Sequence, residues 1–151
     1  MKKQLIVFTF VIFALACSKS SSNNNTTPPK TKTELISQSS WKFDKVTAGI
    51  YGDVSAYVDA CYKDNLFVFA ANGTGTVSEG TVVCSPSTAG NFTWSFQSGE
   101  TVLYVSATLF PGGSSSFSLV SITETNLVIS QPVTLPPPYS TTVTAEFTLK
   151  H

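Results

Sequence analysis

Few residues of this sequence have the chemistry of a catalytic site. The chain of 151 residues contains one histidine, His151, which is the last residue and is expected to be frayed. Serine and threonine are plentiful, but there is no Gly-x-Ser-x-Gly motif, and the lysines lie in polar segments. No side chain is therefore placed to act as a base on a hydroxyl nucleophile. The sequence predicts no enzyme activity, no catalytic residue and no cofactor.

One segment combines tyrosines with aspartates, which could serve recognition or general acid–base chemistry. Its residues are Tyr51, Tyr57, Tyr62, Asp53, Asp59 and Asp64. Aromatic rings beside carboxylates can bind a sugar, and carboxylates can bind Ca²⁺. The aspartates lack the 1-3-5 spacing of an EF-type loop, and nothing in the pattern raises a carboxyl pKa for acid–base work. We therefore favour a solvated loop without a metal, and keep glycan recognition as a weaker hypothesis.

The first of the three cysteines, Cys17, follows an apolar segment. Positive charge in Met1-Lys2-Lys3 precedes an apolar run from Leu5 to Ala16. As a helix this run covers about 18 Å, which is short of the ~30 Å needed to span a bilayer. The end of the run, Ala14-Leu15-Ala16-Cys17, resembles the lipobox of bacterial lipoproteins. That resemblance implies a signal peptide over residues 1–16 and lipidation of Cys17; the alternative is an ordinary secretory signal peptide.

Residues 17–33 have the composition of a disordered tether. The segment after Cys17 is rich in Ser, Asn, Thr and Lys and has no apolar residue except Pro28 and Pro29. Without residues 1–16 the chain has seven basic and nine acidic side chains, which excludes the basic surface of a nucleic-acid binder. Because the tether lacks an acidic cluster, we expect a lipid anchor in the outer membrane that faces the periplasm, with surface exposure as the alternative.

From Glu34 onward the pattern is that of short strands. A segment over residues 34–40 is compatible with one helical turn. Apolar and polar residues then alternate in about eight runs. The runs are Trp41–Phe43, Asn65–Ala71, Thr74–Glu79, Phe92–Gln97, Val102–Ala107, Phe117–Ile122, Leu127–Gln131 and Thr142–Leu149. Pro132 and Pro136-Pro137-Pro138 are expected to interrupt them. Residues 34–151 are thus predicted to be one all-β domain, an antiparallel up-and-down barrel or, alternatively, a β-sandwich.

The other two cysteines flank the clearest hairpin of the sequence. Asn72-Gly73 between strand-like runs predicts a type I′ turn, in which both central residues have positive φ. Cys61 and Cys84 are equidistant from this turn, so they would meet at the open end of the hairpin. In an exported domain such a pair indicates a disulfide. A reactive or metal-binding thiol pair would need neighbouring ligands that the sequence does not offer.

These features together resemble the lipocalin-like domain lipoproteins of Bacteroidota. The resemblance covers about residues 35–149 and rests on an early Trp41, a Cys-x-x-Asp stretch, a second Cys, a Trp strand and a late Ile-Thr…Leu-x-Ile hairpin. The matching residues are Cys61, Asp64, Phe67, Phe69, Gly73, Cys84, Trp94, Ile122, Thr123, Leu127 and Ile129. It implies a small lipid-anchored barrel and does not identify a ligand. The Gly-x-Trp signature of true lipocalins is absent, because Ser39-Ser40 precede Trp41.

Large aromatic residues on the apolar strand faces are the candidate ligand-binding residues. They are Trp41, Phe43, Phe67, Phe69, Phe92, Trp94, Phe96, Phe117 and Phe147. These rings either line a cavity for a small hydrophobic ligand or fill an eight-stranded barrel by themselves, and their number favours filling. The sequence thus leaves two functions open. One is a binding module for a small apolar ligand; the other is an interaction lipoprotein that presents residues 49–62 or 132–139 to another envelope protein or a glycan.

Overall fold

A computed structural model describes residues 28–151. The eight strands are β1 Trp41–Thr47, β2 Leu66–Phe69, β3 Thr74–Ser78, β4 Gly90–Gln97, β5 Val102–Val105, β6 Ser116–Ile122, β7 Asn126–Thr134 and β8 Thr142–Lys150. Two short α-helices, α1 Lys32–Ile36 and α2 Ala60–Lys63, and two 3-10 helices, Gly49–Tyr51 and Ser55–Tyr57, accompany them. Within residues 28–151 no helix is long and apolar enough to cross a membrane. Cys17, the signal segment and the tether up to residue 27 lie outside the described residues.

The strands close into an antiparallel barrel. Each strand pairs with its neighbours in sequence, and β1 also pairs with β8. Closure leaves no sheet edge free for pairing with another chain. The predicted eight-stranded up-and-down barrel is confirmed, and the sandwich alternative is wrong.

The β2–β3 hairpin is where the sequence predicted it, but its turn is of another kind. Gly73 has φ 84°, whereas Asn72 is not among the residues with positive φ. The Gly73 amide donates to Ala70 O at 3.0 Å, so Ala71 and Asn72 are the central residues and Gly73 follows in the left-handed region. The predicted type I′ turn is wrong. The pairing of Leu66 with Ser78 centres the hairpin on Asn72, whereas the prediction centred it between Asn72 and Gly73. Cys61 and Cys84 are therefore not at equal distances from the centre of the hairpin.

Strand β7 is longer than the sequence indicated. Pro132 was expected to end the strand, yet β7 continues to Thr134 and pairs with β8 along its whole length. Pairing with β6 ends at Ser130, so Pro132 lies where only one side of the strand carries a ladder. A proline is tolerated in a strand at such a position.

Helix α1 and the end of β8 cover one end of the barrel, which we call the closed end. The indole Nε1 of Trp41 donates to Ile36 O at 2.8 Å, and the His151 ring contacts the Trp41 ring in a tilted arrangement with centroids 3.9 Å apart. His151 Nδ1 lies 2.8 Å from Ser40 O, so the expected fraying of His151 is wrong. Because α1 begins at Lys32, residues 32 and 33 belong to the folded domain and not to the predicted tether.

The opposite end of the barrel carries the longer connections, and we call it the mouth. Strands alternate in direction, so the connections after β1, β3, β5 and β7 all lie at this end. They are residues 48–65, 79–89, 106–115 and 135–141. The connections at the closed end are tight turns. The mouth is therefore the end at which chain segments that are distant in sequence meet.

Candidate functional site

The predicted ligand-binding aromatics lie in the packed interior. Seven of the nine predicted residues are buried: Trp41, Phe67, Phe69, Phe92, Trp94, Phe117 and Phe147. Phe43 and Phe96 are partly buried and pack against the same core. Phe69, Trp94 and their neighbours make edge-to-face contacts towards the closed end. These rings contact one another, which is the filled arrangement that the sequence favoured.

Phe110, a loop residue that the sequence analysis missed, occupies the centre of the barrel. It lies in the β5–β6 connection and is 0% exposed. Its ring stacks on Phe147 with centroids 4.3 Å apart and an interplanar angle of 14°. Its centroid is 5.8 Å from that of Phe67 and 6.5 Å from that of Phe117. The available signal was a pair of large apolar residues, Leu109-Phe110, directly before Pro111-Gly112-Gly113 in a predicted loop.

A small apolar cavity remains at the mouth, beside the Phe110 side chain. Its volume is about 80 Å³. Inward-facing residues of β1, β7 and β8 form its floor, and residues of the mouth connections form its rim. The lining residues that matter below are Val46, Tyr57, Pro111, Val133, Ala145 and Phe147. A dry cavity of ~150 Å³ holds benzene, and drug-sized ligands occupy ~300–1,000 Å³, so this cavity accommodates one small apolar group.

Three tyrosines converge at the rim of this cavity. The ring centroid of Tyr139 is 4.8 Å from that of Tyr51 and 6.0 Å from that of Tyr57. A hydrogen bond with the Tyr139 side chain raises the pKa of Tyr57 above its ordinary value. Ile50, beside Tyr51, is 95% exposed. The structure thus brings together the two segments, 49–62 and 132–139, that the sequence proposed as interaction loops.

Two of the three aspartates of this region, Asp53 and Asp64, accept hydrogen bonds from loop backbone amides. Asp53 Oδ1 accepts the Ser55 amide at 2.8 Å, and hydrogen bonds from Ser55 lower the Asp53 pKa. Asp64 Oδ2 accepts the Val82 amide at 3.0 Å, and this bond is the main cause that lowers the Asp64 pKa. Asp59 is the N-cap residue of α2. In the described part of the chain no group of three His, Cys, Asp or Glu residues is arranged to hold a metal.

The β3–β4 connection is fixed by a disulfide and by one carboxylate. Cys61 of α2 and Cys84 form a disulfide with their Cα atoms 5.2 Å apart, which confirms the predicted pair. The sequence predicted that this bond connects the ends of two paired strands. In the structure it joins a helix to a loop instead. Glu79 accepts hydrogen bonds from Cys84 N, Ser87 Oγ and Thr88 N. These bonds, that from Ser87 first, lower the Glu79 pKa to about 2.

Sequence comparison matches the chain to the lipocalin-like domain over residues 38–129, which is more than half of its length. The chain belongs to the lipocalin-like domain family. No curated protein matches the chain at a significant level. The matched segment of this lipocalin-like domain extends from just before β1 into β7 and includes the disulfide and Phe110. Strand β8, which closes the barrel and lines the mouth cavity, lies beyond it.

Proposed function

We propose that this protein is a lipid-anchored protein of the bacterial cell envelope whose lipocalin-like domain binds a small apolar ligand at its mouth. Lipidation at Cys17 holds it in the outer membrane, facing the periplasm. Two or three acyl chains anchor a protein stably, whereas a single chain does not. The lipobox-like end of the apolar N-terminal segment supports the anchor, and the match to the lipocalin-like domain supports ligand binding.

The observation that carries the binding proposal is the apolar cavity at the mouth. Val46, Val133, Ala145 and Phe147 supply an apolar surface, and the neutral Tyr57 hydroxyl lies at the rim. A ligand with one apolar group and one hydroxyl satisfies both. The interior below the cavity is filled, so a long acyl chain does not fit this form of the barrel.

Filling the cavity tests this proposal. The polypeptide of residues 26–151 is titrated with 2-propanol, which carries one small apolar group and one hydroxyl, and followed by NMR chemical shifts. Ala145→Leu adds bulk inside the cavity, whereas Thr144→Leu places the same leucine side chain on the outer face of β8, where Thr144 is exposed. We expect Ala145→Leu to abolish the shifts of cavity residues and Thr144→Leu to retain them. Equal binding by both folded variants would overturn a binding site at the mouth.

The anchor and the natural ligand are tested separately. Cys17→Ser is expected to move the full-length protein from the membrane fraction to the soluble fraction, and retention in membranes would contradict lipidation. Organic extraction of protein purified from its native envelope, followed by mass spectrometry, is expected to yield one reproducible small apolar compound. An extract identical to that of the Ala145→Leu variant would argue against a ligand at the mouth.

A second candidate function is the binding of another envelope protein through the mouth loops. Ile50 is 95% exposed, and Tyr57 and Tyr139 are about half exposed beside it. Exposed apolar groups of this kind are typical of contact surfaces. A photo-crosslinking residue at position 50 is expected to capture one dominant partner in whole cells, while the same residue at Val120, on the outer wall of β6, captures none. Equal labelling from both positions would contradict this function.

A further inference from the structure

The centre of the barrel is filled by a side chain that no strand holds in place. Phe110 belongs to the β5–β6 connection, residues 106–115, whereas the other large rings of the interior come from strands. Withdrawal of Phe110 breaks no hydrogen bond of a strand ladder. Gly112, with φ 70°, and Gly113 follow it and give the backbone freedom to move. The Phe110 ring can therefore be withdrawn from the interior while the strand ladder stays closed.

The Phe110 ring lies next to the mouth cavity. Phe147 stacks on the Phe110 ring and also lines the cavity. Pro111, the next residue of the loop, lines the cavity from the other side. Displacement of Phe110 would thus join a phenyl-sized space to the existing cavity of about 80 Å³.

One buried amide lacks a partner at this position. Gln131 on β7 is 2% exposed, and its Oε1 accepts the Ser114 amide at 2.9 Å. Its Nε2 has no hydrogen-bond partner among the described residues. A Cβ on Gly113 would lie 2.4 Å from this Nε2, so the amide nitrogen is directed against the plug loop. A buried donor left without an acceptor costs free energy, which an incoming acceptor recovers.

The interior also determines the charge of a ligand. The buried polar residues of the described chain are Asn65, Ser130 and Gln131, and none of them is charged. A charged ligand would lose its hydration without meeting a counter-ion. A neutral ligand loses much less on burial.

We propose that the β5–β6 loop is a plug, and that its displacement opens an interior site for a neutral ligand with one aromatic or branched apolar group and one oxygen acceptor. The apolar group replaces the Phe110 ring, and the Gln131 amide donates to the oxygen. Gln131 is thus the residue that determines specificity. The inference rests on the proposed function, because the ligand reaches this site through the mouth cavity.

The test compares two probes that differ only in the acceptor, acetophenone and ethylbenzene. Affinities are measured by NMR titration for the wild-type domain, Phe110→Ala, and Phe110→Ala combined with Gln131→Met. Leu127→Ala provides a matched cavity at the closed end, away from Gln131, where Leu127 is fully buried. If the plugged form dominates and the open form is populated at about 0.1–10%, Phe110→Ala binds acetophenone about 10- to 1,000-fold more tightly than the wild type.

The acceptor preference identifies the role of Gln131. We expect the ratio of acetophenone to ethylbenzene affinity to be about tenfold higher in Phe110→Ala than in Leu127→Ala, the factor that one hydrogen bond contributes. Gln131→Met should abolish that difference. Equal ratios in all variants would overturn recognition by Gln131, and equal affinity of wild type and Phe110→Ala would overturn the plug.

Two further measurements keep the outcomes separate. If Phe110→Ala does not fold, Phe110→Leu takes its place. If Leu127→Ala does not fold, the Phe110 variant that also carries Gln131→Met serves as the reference. Failure of 2-propanol to bind the wild-type mouth, combined with an acceptor preference in the Phe110 variant, would overturn the binding site at the mouth and leave the interior site standing. The reverse pattern would overturn only the interior site.

Discussion

Glu79 is a single side chain that orders a whole connection at the mouth. Its carboxylate accepts the Thr88 amide at 2.8 Å and the Ser87 hydroxyl at 2.6 Å, and these bonds bring the two ends of the 79–89 segment together. The pKa of Glu79 falls from 4.5 to about 2. A carboxyl group with a lowered pKa in the folded state stabilises the protein above its unfolded-state pKa. That contribution is lost as the pH falls from about 4.5 towards about 2.

We therefore predict that Glu79→Gln lowers the free energy of unfolding at pH 7 and makes this free energy less dependent on pH in the acidic range. The melting temperature should fall by a few degrees at pH 7. The difference from wild type should shrink as the pH falls from about 4.5 towards about 2, because over this range the carboxyl group binds a proton in the unfolded chain but not yet in the folded protein. Urea unfolding at pH 3, 4.5 and 7 measures both effects. Glu146→Gln is the control, since Glu146 is exposed and its side chain has no hydrogen-bond partner within residues 28–151. A constant difference between Glu79→Gln and wild type across this range would contradict the assignment.

At the scale of elements, the disulfide ties α2 to the β3–β4 connection. The bond closes a loop over a sequence separation of 23 residues. We predict that the double variant Cys61→Ser/Cys84→Ser loses about 3 kcal/mol of unfolding free energy, because the unfolded chain gains the freedom that the bond had removed. Urea denaturation of oxidised wild type and of the variant measures this loss. Hydrogen exchange should increase in residues 60–63 and 79–89 and remain slow in β7 and β8; unchanged stability would contradict the prediction.

Helix α1 is short, so its stability depends on its cap and on tertiary contacts. Thr31 Oγ1 accepts the Glu34 amide at 3.2 Å, and Glu34 Oε2 accepts the Thr31 amide at 2.7 Å, which together form a capping box. Lys30 pairs with Glu124 of the β6–β7 turn at 2.9 Å. The helix thus lies across the closed end and connects it to a turn of the sheet.

We predict that Thr31→Ala destabilises the domain by about 1 kcal/mol, the usual cost of losing an N-cap. The indole of Trp41, which donates to Ile36 O of this helix, should become more accessible to acrylamide quenching. Ser39→Ala, at an exposed position between α1 and β1, is the matched control and should change neither property. A Thr31→Ala protein as stable as the control would show that the capping box contributes little.

The elements also show how far sequence reasoning reaches. The alternation of Phe92, Trp94 and Phe96 with polar residues predicts a strand from local sequence alone, because successive side chains of a strand point to opposite faces of the sheet. The structure has β4 at this position. The passage of β7 through Pro132 depends on where β6 stops pairing, which is a property of the closed sheet. Phe110 is a loop residue with no periodicity, and only the surrounding rings give it a place in the core. The local sequence pattern therefore predicted the strands of the barrel. The position of Phe110 in the interior and the arrangement of the mouth connections depend on tertiary contacts, which a local pattern does not contain.

At the scale of the whole molecule, the barrel is not equally strong around its circumference. β7 and β8 pair from Asn126–Lys150 to Thr134–Thr142. β1 and β2, in contrast, pair only through Trp41–Phe67 and Lys42–Leu66. Beyond Lys42, β1 has no partner in β2, because β2 begins at Leu66. The seam between β1 and β2 is therefore the weakest junction of the ladder.

We predict that the barrel opens first along this seam. Because local opening follows the density of buried contacts and ladder bonds, amides of β2 should exchange with solvent faster than those of β7 and β8 under native conditions. Hydrogen exchange followed by NMR measures the order directly. Within β1, residues 45–47 pair with β8 and should stay protected, which provides an internal control on the same strand. Slower exchange in β2 than in β8 would place the weakest junction of the barrel elsewhere.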